Sequence, residues 1–294
     1  MITYNIIHRT TYRYQRPVTL ETHRLQLRPR PSRDIQIISA DITVTPPAPL
    51  RWTNDVFGNA IASVSFSEPA DTLIVESRVV LRHYSVPWPI FDIADSAISY
   101  PFSYSEDEIL DLGALMQPQY PDPDGRLLTW AQGFVRGSPT DTLSLLKDLN
   151  AAISAWISYE ARYLEGTQAP LESLDRGVGS CRDIALLLIE AARSLGFGAR
   201  SVSGYLANRQ ETPGASIGSF DAGSTHAWAE IYLPGAGWVT FDPTNRTVGD
   251  FCLIPVAVAR DIRQTVPVSG KFVGATNDFL GMTVEVQVVN VSTT

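Results

Sequence analysis

Cys181 is the residue best placed by its surroundings to do chemistry. It follows Gly177-Val178-Gly179-Ser180 and opens an apolar run, 184–195, that Gly196 stops. Apolar residues on nearly every side mark a helix buried in the middle of its domain. At the start of a helix, free backbone N–H groups and the positive end of the dipole favour a thiolate over a thiol. A thiolate attacks carbonyl carbon, and the glycines before it let a substrate come close to the backbone. Such a nucleophile needs a base, and the base needs an acceptor to orient it. The chain has four histidines. His8 and His23 lie in a strand-rich N-terminal part and His83 at its end, where packing or surface roles suffice. His226 begins a strand directly after a loop rich in Gly, Ser and Pro (210–224), as a histidine at the mouth of a cleft would.

Asp242 is the candidate acceptor, because it ends the strand expected to pair with that of His226. Two hairpin registers are open. If Leu233 pairs with Trp238, His226 faces Asn245 and lies three residues out of line with Asp242, too far at about 3.4 Å per residue. A three-residue connection, 234–236, pairs Leu233 with Gly237 and leaves an offset of two. Diagonal Cβ neighbours about 7–8 Å apart are within reach of an imidazole and a carboxylate. Asp242-Pro243-Thr244-Asn245 also reads as an ordinary turn opener.

Other chemistries fit less well. Cys181 precedes His226 by 45 residues and His226 precedes Asp242 by 16, whereas papain-type enzymes separate cysteine and histidine by about 130–150. Neither C-x-x-C nor H-x-x-x-H occurs, so a zinc site is disfavoured. The glycines at 214–223 have no phosphate-cradling pattern. No cofactor and no metal are expected. Around the candidate nucleophile, Asp183 reads as a cap completing the helix start with Ser180. Trp228 shares a strand face with His226 and is a candidate wall of a substrate cleft. Tyr159 is a candidate donor to an oxyanion, with the Cys181 backbone N–H the simpler donor. Cys252, among Leu253, Ile254 and Val256, reads as an inert buried thiol.

The elements that must position these residues follow a change of pattern along the chain. Residues 1 to about 85 alternate in period two, between turn clusters such as Arg28-Pro29-Arg30-Pro31 and Phe57-Gly58-Asn59, which suggests a β-sandwich. Past Pro87-Trp88-Pro89 the spacing becomes helical. Ser105 with Glu108 is a capping box before Ile109, Leu112 and Leu115. A second helix is expected over 127–135 and a third over 143–159. Strands follow at 199–206, 226–233, 238–242 and 282–289. The expected class is α+β: an antiparallel N-terminal β-sandwich over 1–88, then a catalytic core over 89–294 with linker helices. The strand at 281–290 is free to pack on either part.

The chain has 294 residues, 44% hydrophobic and 18% charged, with 23 basic against 31 acidic side chains for a net charge of −8. That is the composition of a globular protein, and its acidity gives no general attraction to nucleic acid or to anionic membranes. Two cysteines make no disulfide framework, which points to a reducing compartment. No secretory signal pattern is visible and no apolar run approaches the ~20 residues that span a bilayer. A soluble cytoplasmic protein acting on a peptide or protein substrate is expected, with no preference as to oligomeric state.

Several stretches together resemble the bacterial transglutaminase-like superfamily, whose members are often provisionally labelled cysteine proteases. They are Gly177-Val178-Gly179-Ser180-Cys181-Arg182-Asp183, Arg200-Ser201-Val202-Ser203-Gly204-Tyr205, His226-Ala227-Trp228-Ala229-Glu230 and Gly237-Trp238-Val239-Thr240-Phe241-Asp242-Pro243-Thr244-Asn245. The N-terminal part is similar to the β-sandwich preceding that core in one bacterial branch, through Tyr4, His8, Thr10, Tyr12, Tyr14, Leu25-Gln26-Leu27-Arg28-Pro29 and Asp55-Val56-Phe57-Gly58-Asn59. The resemblance implies a cysteine-proteinase-type core, with Cys181 as nucleophile at the start of a central helix packed on an antiparallel sheet. It implies His226 as base and acid, and Asp242 as orienter. Ala259-Arg260-Asp261-Ile262 departs from a more usual Gly-Arg-Asp-Tyr. The barrels and calcium sites of animal transglutaminases and the zinc cysteines of peptide N-glycanases have no counterpart. The implied reaction is acyl transfer from a peptide or amide through a Cys181 thioester, most simply to water. An amine-accepting transglutaminase or ligase, or an inactive protein-binding module, are the alternatives.

Overall fold

The computed structural model describes residues 1–84, 89–162, 166–207, 225–249 and 251–291. Alternating residues of the N-terminal part form β1 (Ile2–Leu20), β2 (His23–Leu25), β3 (Ile35–Thr45), β4 (Leu50–Asn54), β5 (Ala60–Val64) and β6 (Ala70–His83). β1, β6 and β3 lie side by side in one antiparallel sheet, and β2, β5 and β4 in a second. Leu25, Leu27, Val64, Leu73 and Val75 fill the space between them.

The helices are α1 (Glu106–Leu112), α2 (Arg126–Gln132), α3 (Thr142–Trp156), α4 (Pro170–Arg176) and α5 (Cys181–Ser194). The capping box at α1 forms as the spacing predicts, with Ser105 N donating to Glu108 Oε2 over 2.9 Å and Glu108 N to Ser105 Oγ over 3.3 Å. α2 stops at Gln132, short of the expected Val135. α3 stops at Trp156 because the next residues become a strand: Ser158–Tyr159 pairs in parallel with Val178–Gly179. α4 lies in a stretch with no helical expectation. Proline at its first turn and Gly177 at φ 64° just past its end are the signals that mark it.

α5 is buried almost throughout, as its apolar character predicts, and it buries three charged residues as well. Each has a partner. Glu190 and Arg193 pair at 2.7 Å, and Asp183 accepts from Arg162 at 2.6 Å. Unpaired charges there would cost several kcal/mol each, roughly.

The core sheet comprises β7 (Ala199–Leu206), β8 (Thr225–Leu233), β9 (Gly237–Asp242) and β10 (Leu253–Ala259), in the antiparallel order β9-β8-β7-β10. Alternation gives it two apolar faces. Ala229, Ile231, Val239 and Phe241 pack with the helices, α5 among them. Val202, Tyr205, Trp228 and Ile254 pack against Tyr4, Ile6, Val79 and Leu81 of the N-terminal sheet. The core sheet therefore lies between α5 and the N-terminal part. Its loop 210–224, and the expected boundary at residue 88, lie outside the described residues.

The last strand, β11 (Phe279–Asn290), returns to the N-terminal part and pairs with β1, Tyr4 opposite Asn290 and Tyr12 opposite Met282. Phe272–Val273 also pairs with β1, and Val268–Ser269 with β2. Both sheets of the sandwich thus include residues from beyond 267. No helix among the described residues is long and apolar enough to cross a membrane.

Candidate active site

The hairpin of β8 and β9 takes the register with the three-residue connection: Leu233 pairs with Gly237 and Ala229 with Phe241. Asp242 is therefore two residues from the position opposite His226, and the diagonal is closed by a hydrogen bond of 2.9 Å between His226 Nε2 and Asp242 Oδ2. The other oxygen, Oδ1, accepts from Thr244 N at 3.0 Å and Asn245 N at 3.2 Å. The turn-opening and imidazole-orienting readings of Asp242 are thus both realised, one on each oxygen. Asn245 Nδ2 adds a 2.7 Å bond to Oδ2 and sits 3.4 Å from His226 Nε2.

Both ionisable groups are buried. Burial alone would lower the basicity of His226, but the Asp242 charge and hydrogen bond outweigh it, with a further contribution from Cys181. The imidazole is held well above its ordinary 6.5. Burial would likewise raise Asp242, but the charge and hydrogen bond of His226 and the donors of Asn245 prevail and hold it below its ordinary 3.8. Each group thus favours the charged form of the other, imidazolium facing carboxylate.

Cys181 is the first residue of α5 and is partly exposed. It lies close enough to the His226 imidazole to raise its basicity, and Nε2 is the nitrogen that faces Asp242. Asp183 anchors the approach to Cys181. Fully buried, its Oδ2 accepts from Ser180 N and Ser180 Oγ, each at 2.8 Å, and its Oδ1 from Gln168 N at 2.7 Å and from Arg162. The expected cap is thus also the hub that ties the segments before α5 to its first turn. Gly179 allows this approach, because a Cβ there would meet Asp183 Cβ at 3.1 Å.

Tyr159 is aligned with Gly179 across the short parallel pair and borders a pocket of about 490 Å³ with Ile157, Ser158, Ile184 and Asn245. Trp228 lies elsewhere. Its ring stacks near that of His226, centroids 6.1 Å apart, but it is 1% exposed and packed among the residues between the two parts of the molecule. It backs the imidazole and does not wall a cleft. The face that it shares with His226 is covered by the N-terminal part.

Two residues near the site carry no chemistry-bearing signal in the sequence. Asn245 could be reached only through the hairpin register. Tyr120 packs beside Cys181 with Leu186, Ala227 and Ile262, and its loop is held because Glu190 Oε2 accepts from Gln119 N and Tyr120 N at 2.7 and 3.0 Å. That placement depends on a buried charge 70 residues away in sequence. His8, His23 and His83 are buried in the N-terminal part, and burial lowers His8 and His83 to about 4. Cys252 is fully buried. Among the described residues no three His, Cys, Asp or Glu side chains are grouped to hold a metal ion.

Comparison with known proteins bears on the family and the fold. Residues 4–82 match the family described as the bacterial transglutaminase-like N-terminal region, and residues 128–243 match the transglutaminase-like superfamily. An uncharacterized protein of Mycobacterium tuberculosis is 28% identical over 298 residues, covering 96% of this chain and 92% of the relative. One of Mycobacterium leprae is 25% identical over 286 residues, covering 96% and 97%. In fold, the chain is similar to a protein of Cytophaga hutchinsonii provisionally named a cysteine protease. Its TM-score is 0.74 at 20% identity, covering all of this chain and 92% of that one.

Proposed function

Residues 128–243 make this a transglutaminase-like chain, with the bacterial N-terminal region of that family at 4–82, and on that premise we propose that it transfers the acyl group of a peptide or amide through a thioester on Cys181. The observation that carries the reading is the His226–Asp242 pair, closed at 2.9 Å, with Cys181 at the start of α5 near enough to raise the basicity of the imidazole.

In the proposed reaction the proton of the Cys181 thiol already resides on His226, and Cys181 Sγ attacks the carbonyl carbon. The Cys181 backbone N–H, free at the helix start, donates to the oxyanion. His226 then gives its proton to the departing nitrogen as the C–N bond breaks, leaving the thioester. Water attacks that thioester, His226 taking its proton, and release of the acid restores the starting pair of Cys181 and His226. Asp242 and Asn245 hold the imidazole in orientation throughout. Water is the proposed acceptor because it is always present, which makes the protein a peptidase or amidase. Cys181 and Cys252 are not joined in a disulfide, in keeping with the reducing, cytoplasmic setting proposed for the protein.

The test is a substitution with two readouts. Cys181→Ala should lower amide turnover by at least about 10³-fold and abolish labelling by a thiol-directed acyl probe, read by intact mass. Undiminished turnover in that variant refutes the reading. Transfer of the acyl group to an added primary amine in preference to water would overturn hydrolysis while leaving the thioester in place.

A further inference from the structure

The pocket beside the site carries a specificity that the proposed chemistry does not require. It adjoins the reacting groups through two of its lining residues. Asn245 hydrogen-bonds Asp242 and neighbours His226, and Ile184 lies one turn along α5 from Cys181. Ile157, Ile184 and Tyr159 supply apolar lining, and the one charged residue in the lining is Arg246.

Arg246 is held in an unusual way. It is the one non-glycine residue with positive φ, 59°, among the described residues, a conformation that a long side chain adopts at a cost of roughly 1 kcal/mol or more. Its guanidinium is braced: Nε donates to Ser154 Oγ at 2.7 Å and Nη2 to Ser154 O at 3.2 Å. Those bonds use two of the five N–H donors of an arginine. No carboxylate among the described residues pairs with it. A left-handed backbone that presents a braced fork with no carboxylate partner among the described residues suits a ligand. A second orphan lies in the same lining. Thr244 is 4% exposed, and its hydroxyl has no hydrogen-bond partner among the described residues. Buried hydroxyls are satisfied in nearly all proteins.

We propose that this pocket receives a carboxylate-bearing residue of the substrate, an acidic side chain close to the amide that is cleaved, with Arg246 as its specificity-determining partner. The proposal rests on the acyl-transfer reading of Cys181. The remaining N–H groups of Arg246 meet the two carboxylate oxygens, the apolar lining takes the methylene stem, and Thr244 Oγ1 pairs with a polar atom of the same residue. Such selectivity runs against the molecule's net charge of −8, so a local cation is needed to draw an acidic peptide in.

The test uses peptidyl acyloxymethyl ketones, in which Cys181 Sγ displaces the acyloxy carboxylate from the methylene carbon. Probes carry Glu, or its uncharged isostere Gln, at either of the two residues preceding the ketone. Cys181 modification is followed by intact mass. At one of the two positions, Glu should react about tenfold faster than Gln, and the ratio should shrink at high salt. Arg246→Gln should bring the ratio to about one. Should that variant fold poorly, Arg246→Asn supplies a side chain that tolerates positive φ. Equal rates for Glu and Gln at both positions in the native protein overturn the pocket's assignment and leave the thioester chemistry standing. A ratio that survives loss of Arg246 overturns the role of that residue. Failure of every probe to modify Cys181, with iodoacetamide doing so no faster than it modifies an ordinary thiol, overturns the acyl-transfer reading itself.

Discussion

Asp242 divides its oxygens between a turn and an imidazole, and that division makes the site sensitive to pH in a definite direction. His226 is raised above 6.5, so its contribution to stability is complete below that value and is lost as pH climbs through the raised one. Asp242 is lowered beneath 3.8, so its contribution is complete above that value and is lost as pH falls through the lowered one. The native protein should therefore exceed Asp242→Asn in stability most clearly between those two ordinary values, by about 3 kcal/mol. Thermal midpoints at about pH 5 and about pH 9 check this. A gap that does not narrow at the higher pH would show that the carboxylate acts only through its turn. Cys181, His226 and Asp242 were legible in the sequence because residue type, helix start and hairpin arithmetic all constrain them. Arg246 was not, because nothing in its spacing reveals a left-handed backbone.

Among elements, β7 shows how close the layers behind the imidazole come. Gly204 lies opposite His226 in the β7–β8 register, at the irregularity where β7 meets β10. A Cβ there would meet the Ile254 carbonyl oxygen at 2.1 Å and Trp228 Cη2 at 2.7 Å. Neither neighbour can yield cheaply, since one is backbone and the other a fully buried ring. Gly204→Ala should cost about 2 kcal/mol or more, seen as a lower urea midpoint, and a change under about 0.5 kcal/mol would mean the sheet relaxes freely. Long periodic elements such as β1, β6, α3 and α5 were readable from the sequence. α4 and the pair Ser158–Tyr159 with Val178–Gly179 were not, because each is short and held by tertiary contacts around Asp183. Trp228 marks the same boundary: alternation tells which side of β8 a residue takes, but not which layer will cover it.

At the scale of the molecule, the N-terminal part is fastened to the core by a side chain that imitates a strand. Asn59 Nδ2 donates to Val258 O at 2.7 Å, and Val258 N donates to Asn59 Oδ1 at 2.9 Å. Asp55 holds the amide in place, accepting from Asn59 N at 2.9 Å and Asn59 Nδ2 at 2.8 Å, and Arg30 donates to Asn59 Oδ1 at 2.6 Å. Asn59→Ala strands two buried main-chain groups of β10 and should lower the free energy of unfolding by about 3 kcal/mol, measured in urea. A loss under about 1 kcal/mol would mean that water replaces the amide. The stretch Asp55-Val56-Phe57-Gly58-Asn59 resembled a family feature before its purpose was visible, because its partner is a strand 199 residues further along the chain.

The same architecture sets a timetable for birth. Tyr4 finds its cross-strand neighbour in Asn290, so a ribosome must reach that residue before the ribbon of β1 is flanked on both sides. At typical synthesis speeds that wait is on the order of half a minute. Throughout it, one margin of β1 stays open to any stray strand nearby.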